Sequence, residues 1–482
     1  MNIVFAVSEL EGLVKTGGLA DVAKALPLAL NNLEQDARVA LPYYQQVAEL
    51  LPPAQAERTF TFSIIANQEF RVKVHQFEFA TIPVYCFDIE GMFDRDGIYG
   101  ESYHPFDDNG QRFTLFSIAI LNFFQHFAGQ LQFEPQAIHC NDWHTAVLPA
   151  LMKNDKYWQT RQCTTLLSIH NGAYQGIFEK HTISALLSKL GQDHPDYEKD
   201  VVNFLKFGIT FADKVVAVSP NYASELLTEL GSHHLFDIFD IHRRKVSGIL
   251  NGCDYKDWSP HTDQYINQQY SVDNIADKAK NKLALQNSVG LTADTSIPLI
   301  SMVCRLTDQK GLNFLLPAIK ELVKHKVQIC IAGTGDPIYV DQLEYFTQKY
   351  ADNFHFVNTY SEHIAHSYIA GADFFMMPSL FEPCGLTQMY SLAYGTLPIV
   401  RQVGGLKDTV TDLSCHNATG VVFKEPTASS LLAAVRKGLL FYHEYPDKFV
   451  ATQERAMQTK FLWQDSAKLY LELYEQPKEA AN

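Results

Sequence analysis

The sequence predicts an α/β protein of two doubly wound, Rossmann-like domains in tandem, facing each other across a cleft. Three observations predict it. Apolar, β-rich runs such as Ile3–Val7 and Val327–Ala332 recur along the chain and read as strands buried on both faces. Each of several such runs ends in polar residues and gives way to a helical period, the rhythm of a parallel sheet with helices on its faces. The rhythm then restarts in the second half of a 482-residue chain, which is too long for one core.

Taken in order, Ile3–Val7 is the first strand, followed by a Gly-containing loop and a helix from Leu19, with Pro27 expected to kink it. Ala137–Cys140, Thr165–His170 and Lys214–Ser219 continue the first series. In the second half, Pro298–Cys304 is a strand, Gly311–His325 a helix and Val327–Ala332 a strand. Asp373–Pro378 and Leu397–Val400 follow as strands, with a helix over Leu386–Tyr394 between them. The join is expected near Val246–Trp258, where the strand-like VSGILNG gives way to polar turns. The polar segment Ser259–Asp294, helical over Ala276–Gln286, is expected at the surface. The expected domains are thus residues 1–245 and 246–455, with a C-terminal helix at 456–476 in a closing segment, 456–482, that crosses back to the first.

Composition narrows the partners. Hydrophobic residues make up 46% and charged ones 19%, a soluble globular balance. Lys plus Arg (39) against Asp plus Glu (54) gives a net charge of −15, which disfavours a nucleic-acid partner. The eight cysteines are scattered without a CxxC pair, unlike a disulfide framework or a zinc site. The longest nearly apolar run, Phe113–Phe124, is too short to cross a bilayer, and the start lacks a basic leader, so a cytoplasmic protein is expected.

In open parallel sheets, ligands bind at the carboxyl ends of strands, and the chemistry-bearing residues fall there. After the first strand, Lys15 precedes Gly17 and Gly18 at a helix start, offering one cation and exposed amides to a diphosphate. An ordinary Gly-rich turn with a solvated lysine reads the same way. Arg305 and Lys310 follow a second-half strand and can converge on one anion, although two surface cations at a helix start are not rare. The stretch Ser379-Leu380-Phe381-Glu382-Pro383-Cys384-Gly385-Leu386-Thr387 leaves another strand. Glu382 could accept from sugar hydroxyls while the amides of Leu386 and Thr387 meet a phosphate, or it could be a plain capping glutamate. In the first half, Asp142 and His170 end strands on the same side. His139 and His144 share a metal-like spacing, but across a strand-to-helix junction, so no metal is expected.

The segments KTGGLADV, HCNDWH, IHNGAYQGIF, AVSPNYA, ILNGCD, RLTDQKG, GTGDP and FEPCGLTQMYSLAYGTLPIVRQVGGLKDTV together resemble the bacterial glycogen synthase and plant starch synthase family. They occur in the family's order from Val7 to about Lys424, and the closing FLWQDSAKLYLELY resembles its last segment. The resemblance implies the GT-B fold and glucose transfer from ADP-glucose to the non-reducing end of an α-1,4-glucan. It also implies retained configuration and neither a metal nor a cofactor. By motif, Lys15, Gly17 and Gly18 fall in the donor loop, while Arg305 and Lys310 meet the departing diphosphate. Thr387 falls with Gly385 and Leu386 at the helix start beside it, and Glu382 on glucose hydroxyls with Cys384 alongside. Asp142 and His170 fall over the glucose ring, with Asn251 nearby, and Tyr360 on the base.

Three positions depart from the family pattern: Gly231-Ser232-His233-His234-Leu235 in place of a YGxGL-like segment, Thr359 where glycine is usual, and HCNDWH for HAHDWH. Same-face attack, with the leaving phosphate taking the acceptor proton, is the expected route, with a covalent intermediate on Glu382 or Asp142 as its rival. Hinge motion at 246–258 is expected to exclude water. UDP-glucose as donor, a pyridoxal-bearing phosphorylase, an epimerase and a non-catalytic glucan-binding relative are the alternatives. A monomer or weak homo-oligomer is expected, without nucleic-acid or membrane partners.

Overall fold

A computed structural model describes residues 1–51, 53–65, 68–101, 104–190 and 200–476. The chain divides into two compact units: Met1–Gly252 with the segment from Trp463 onward, and Cys253–Leu462.

The first unit is built on one nine-stranded sheet. Its strands are β1 (Asn2–Ala6), β2 (Asp36–Pro42), β3 (Ala56–Ile65), β4 (Gln68–Phe79), β5 (Ile82–Ile89), β6 (Ala137–Asn141), β7 (Thr164–Ile169), β8 (Lys214–Ala217) and β9 (Val246–Gly248). They lie in the order β9-β8-β7-β6-β1-β2-β5-β4-β3. All neighbours are parallel except β3–β4 and β4–β5, a hairpin extension that the sequence reading missed. A long helix, Asn109–Leu131, covers this extension, and its Phe116 and Phe123 meet Phe87 edge-on. That helix contains the apolar run Phe113–Phe124, so the run's hydrophobicity serves an aromatic core. The helix after β1 spans Gly18–Asn32 and includes Pro27.

The second unit carries a six-stranded, wholly parallel sheet: β10 (Leu299–Val303), β11 (Gln328–Ala332), β12 (Phe354–Val357), β13 (Phe374–Met377), β14 (Leu397–Arg401) and β15 (Val421–Phe423). Their order is β12-β11-β10-β13-β14-β15. Each sheet therefore has a point where the chain reverses its direction of growth, between β1 and β6 in the first and between β10 and β13 in the second. In open parallel sheets a ligand binds at such a point, outside the carboxyl ends of the strands.

Several expectations need correction. Val246–Gly248, read as the start of the second domain, pairs in parallel with Val215–Ala217 as the edge of the first sheet. The single helix expected over 456–476 is two: Pro446–Gln458 and Trp463–Glu475, and only the latter belongs to the first unit. The positions after Gln476 in the expected closing segment lie outside the described residues. The segment Ser259–Asp294 is not simply surface. Lys278 is 6% exposed, and its ammonium donates to the Ala370 carbonyl (2.7 Å) and to Thr396 Oγ1 (2.6 Å). Lys282 pairs with Asp373 at 2.6 Å. Lysine stems bury readily when the charged end finds carbonyls or a carboxylate, and composition alone hides this. Burial lowers the Lys278 pKa to about 7.

The helix Trp463–Glu475 is tied to the first sheet through Tyr474, which is 2% exposed and whose hydroxyl lies 2.6 Å from Nδ1 of His139. The other ring nitrogen of His139 faces Ser168 Oγ at 2.7 Å, so this histidine is fully engaged inside the protein. Replacing Tyr474→Ala removes a buried ring and strands a buried imidazole. It is expected to cost about 3–5 kcal/mol of stability, measured by urea unfolding.

Candidate functional site

Each unit holds one constellation at its reversal point, and each is built by short loops leaving strand ends. In the second unit the loops after β10 and β13 are zipped together. The Leu380 amide donates to the Gln309 carbonyl (2.8 Å) and Gln309 Nε2 to the Phe381 carbonyl (3.2 Å). Gly311 makes the approach possible. Its φ is +76°, and a Cβ there would sit 2.1 Å from the Pro378 carbonyl oxygen. The result joins residues 72 apart in sequence: Lys310 Nζ lies 2.7 Å from Glu382 Oε2. Ser379 Oγ donates to the same carboxylate oxygen at 2.8 Å. Glu382 is 7% exposed and thus held by an ammonium and a hydroxyl, not spent as a helix cap.

Arg305 is exposed beside this pair. Lys310, Glu382 and Arg305 all act electrostatically on the Cys304 thiol, whose pKa burial pushes up to about 12, so these three charges surround the end of β10. The turn after β14 closes the back. Gly404 has φ +41°, and a Cβ there would lie 1.8 Å from the Glu382 carbonyl oxygen, while the Gly405 amide donates to that oxygen at 3.1 Å. Arg401 adds bonds to the carbonyls of Ser379 (2.8 Å) and Leu380. The GTGD turn joins the cluster through the Leu306 amide on the Thr334 carbonyl (2.8 Å). Cys384 is buried, Gly385 takes φ +71°, and the helix begins at Thr387, one residue after Leu386. Tyr360 is 55% exposed at the end of the edge strand β12, its hydroxyl 3.1 Å from Glu362.

In the first unit, Lys15 is held by Asp21 at 2.7 Å and Glu11 at 3.4 Å. The Gly loop departs from expectation in one respect. The amides of Thr16 and Gly17 are not open, because both donate to the carboxylate of Glu9 (2.6 and 3.1 Å). Gly17 itself takes an extended conformation, and nothing lies within 4 Å of where its Cβ would be. The fold therefore has no need of glycine there, and the open space suits a closely approaching ligand.

Asp142 stands at the end of β6 with φ +51°, a strained conformation for a residue with a side chain. Its Oδ1 accepts from the amides of His170 (2.7 Å) and Asn171 (3.3 Å), so Asp142 and His170 are brought together. Burial raises its pKa to about 7, opposed by those two amides. Burial lowers that of His170 to about 3, which leaves a neutral imidazole bonded to Asn141 Oδ1 at 2.9 Å. Asn251 is buried in the same unit, and its Oδ1 has no hydrogen-bond partner among the described residues. Among those residues no group of three or more His, Cys, Asp or Glu is placed to hold a metal. Among the described residues no helix is long and apolar enough to cross a membrane.

Sequence reasoning missed Glu9, Asn141, Ser379 and Arg401 as partners of the site.

Residues 2–240 match the family described as starch synthase catalytic domain, and residues 287–452 match glycosyl transferases group 1. Sucrose-phosphate synthase from Thermosynechococcus elongatus shares the fold, with a TM-score of 0.57 at 17% identity. Two doubly wound units of this kind define a glycosyltransferase of the GT-B fold. Glycogen synthase of Aeromonas salmonicida (strain A449) is 46% identical over 488 residues, covering 98% of each chain. That of Vibrio cholerae serotype O1 (strain M66-2) is 44% identical with the same coverage. The catalytic domain of starch synthase IV from Arabidopsis thaliana, bound to ADP and acarbose, matches 98% of each chain with a TM-score of 0.87 at 29% identity. The chain belongs to the glycogen and starch synthase family.

Two outcomes are expected from the first unit. Gly17→Ala should leave the thermal midpoint at its parent value, because no protein atom meets the added methyl, while a donor held over this loop would meet it and its KM would rise about tenfold. Asp142 binds a proton in the folded state between about pH 4 and 7 that the unfolded chain has already lost, so its contribution to stability falls as pH rises through that window. Asp142→Asn keeps an acceptor for both amides and removes that slope. The variant should gain on the order of 2 kcal/mol over the parent at pH 8 and little at pH 4.5, read by denaturant unfolding at both pH values.

Proposed function

We propose that the enzyme transfers glucose from ADP-glucose to the non-reducing end of an α-1,4-glucan with retention of configuration. The observation that carries this reading is the Lys310–Glu382 pair with Arg305 at the β10/β13 reversal point. Such a place can meet an anion and a sugar hydroxyl side by side. Support for the adenine nucleotide comes from the solved starch synthase IV domain, which is bound to ADP, and support for a glucan acceptor from the glycogen synthases that match nearly end to end.

In this reading, Arg305 and Lys310 stabilise the charge growing on the diphosphate, as Lys15 does from the glycine loop, and preorganised cations of this kind lower barriers most. Glu382 accepts from glucose hydroxyls through the oxygen that Lys310 leaves open. Tyr360 offers an exposed ring to the base, and Gly385, Leu386 and Thr387 with Cys384 shape the wall beside the phosphates. Asp142, His170 and Asn251 receive the sugar ring. A neutral His170 can donate or accept a hydrogen bond without adding positive charge near the developing oxocarbenium ion. Neither carboxylate suits a nucleophile well: Glu382 is tied to an ammonium, and Asp142 carries a proton on a large fraction of molecules near pH 7. Same-face attack, with the leaving phosphate as base, fits both facts. The unit Met1–Gly252, with the segment from Trp463, then serves the acceptor side and Cys253–Leu462 the donor, in a cytoplasmic enzyme without metal or cofactor.

Incubation with ADP-glucose or UDP-glucose plus glycogen, following nucleoside diphosphate release, tests the reading. ADP-glucose is expected to be consumed, and Lys310→Ala to lower kcat by about 10²–10³. Consumption of neither donor would leave only the fold.

A further inference from the structure

Glu9 is a buried carboxylate with no ligand role in the reading above, and its surroundings are unusually complete. It is 3% exposed. Its Oε2 accepts from the amides of Thr16 (2.6 Å) and Gly17 (3.1 Å), and its Oε1 from the hydroxyls of Thr16 (2.6 Å) and Tyr99 (2.8 Å). An ionised carboxylate offers about four lone-pair sites. All four face protein donors, so Glu9 has no capacity left for a substrate.

The reach is built in. Leu10 and Val14 exchange two backbone bonds of 2.9 Å, folding the chain so that Thr16 returns to Glu9. Tyr99 is fixed in turn. Its hydroxyl also meets Ser8 Oγ at 2.7 Å, and its ring stacks on His144 at 4.6 Å, two residues after Asp142. Its main chain is pinned by Asn109, whose Nδ2 donates to the Tyr99 carbonyl at 2.8 Å. Asn109 Oδ1 accepts from Arg112 Nη1 at 2.7 Å. Arg112, wholly buried, donates as well to the carbonyls of Met92 (2.7 Å) and Ile98 (3.2 Å). Hydrogen bonds thus join Glu9 to Thr16, Gly17 and the Tyr99 hydroxyl, while Asn109 and Arg112 hold the Tyr99 main chain.

We propose that Glu9 is the positioning residue of the donor loop and that Tyr99 holds it in place. By occupying the amides of Thr16 and Gly17, Glu9 leaves the amides of Gly18 and Leu19, in the first turn of the following helix, for the diphosphate. It also fixes the point from which Lys15 extends. The inference rests on the donor-loop reading of Lys15, Gly17 and Gly18. Buried polar groups that are fully satisfied rigidify what they bind, and the loop needs that because its glycines supply no stiffness of their own.

The test compares the full-length parent with Glu9→Gln and Tyr99→Phe. Gln keeps one oxygen for both loop amides, but its NH₂ faces the Thr16 and Tyr99 hydroxyls that donate in the parent, and the lost charge weakens the bonds to the loop amides. Glu9→Gln should raise the donor KM about tenfold, leave the glucan KM within about twofold, and speed hydrogen exchange in the 11–20 segment about tenfold. Tyr99→Phe should move all three the same way by less, and it decides alone if Glu9→Gln does not fold. Parent-like donor KM in both variants overturns the proposal, whatever the exchange shows. A raised donor KM with parent-like exchange overturns it too, since Glu9 would then touch substrate. If the parent itself transfers glucose from neither nucleotide-sugar, the functional reading falls, and the exchange comparison still decides whether Glu9 braces the loop.

Discussion

The contact between Lys310 and Glu382 depends on a backbone approach that only glycine allows. With a side chain at 311, the loop after β10 would collide with the Pro378 carbonyl, and the zip from Gln309 to Leu380 and Phe381 would open. The ammonium and the carboxylate would then lie on separate strand ends. Gly404 repeats the constraint from the other side, where a Cβ would strike the Glu382 carbonyl. Backbone packed against backbone fixes the charges more tightly than side-chain flexibility could, and preorganisation of this kind is what electrostatic catalysis requires.

The first unit solves the same problem differently. Gly17 has open space around it, so a side chain, Glu9, does there the work that backbone contact does in the second unit. The cost of burying the Glu9 carboxylate is met by its four donors. A loop with space around it can admit a ligand, and one braced from beneath can do so without losing its shape.

Much of this was legible in the sequence because it obeys local rules. Apolar runs such as Gln328–Ala332 and Leu397–Arg401 are strands buried on both faces, and their polar ends carry the site. What stayed hidden needed long-range partners. The hairpin extension β3–β5 lies at a sheet edge with mixed exposure, so its pattern is weak. The buried lysines of the helix Lys278–Ser288 read as surface because their carbonyl and carboxylate partners, Ala370 and Asp373, lie about ninety residues away. The closing helix broke at 459–462 without a proline or glycine to announce it. Of the site, Lys15, Arg305, Lys310, Glu382, Asp142 and His170 could be picked out by position at strand ends. Their supports Glu9, Tyr99, Ser379 and Arg401 could not, because a supporting role exists only in the contact.

The two carboxylates at the reversal points are held in opposite ways. Glu382 is ion-paired to Lys310 and accepts from the Ser379 hydroxyl. Asp142 has no cation bonded to it among the described residues; backbone amides and burial set its state, and burial prevails, which holds its proton up to about pH 7. Its left-handed backbone adds to that cost. A carboxyl group poised between its two protonation states can donate to a sugar hydroxyl in one and stabilise positive ring charge in the other. A fixed carboxylate beside an ammonium can do only the work of an acceptor. The division here follows from where burial and cations were placed.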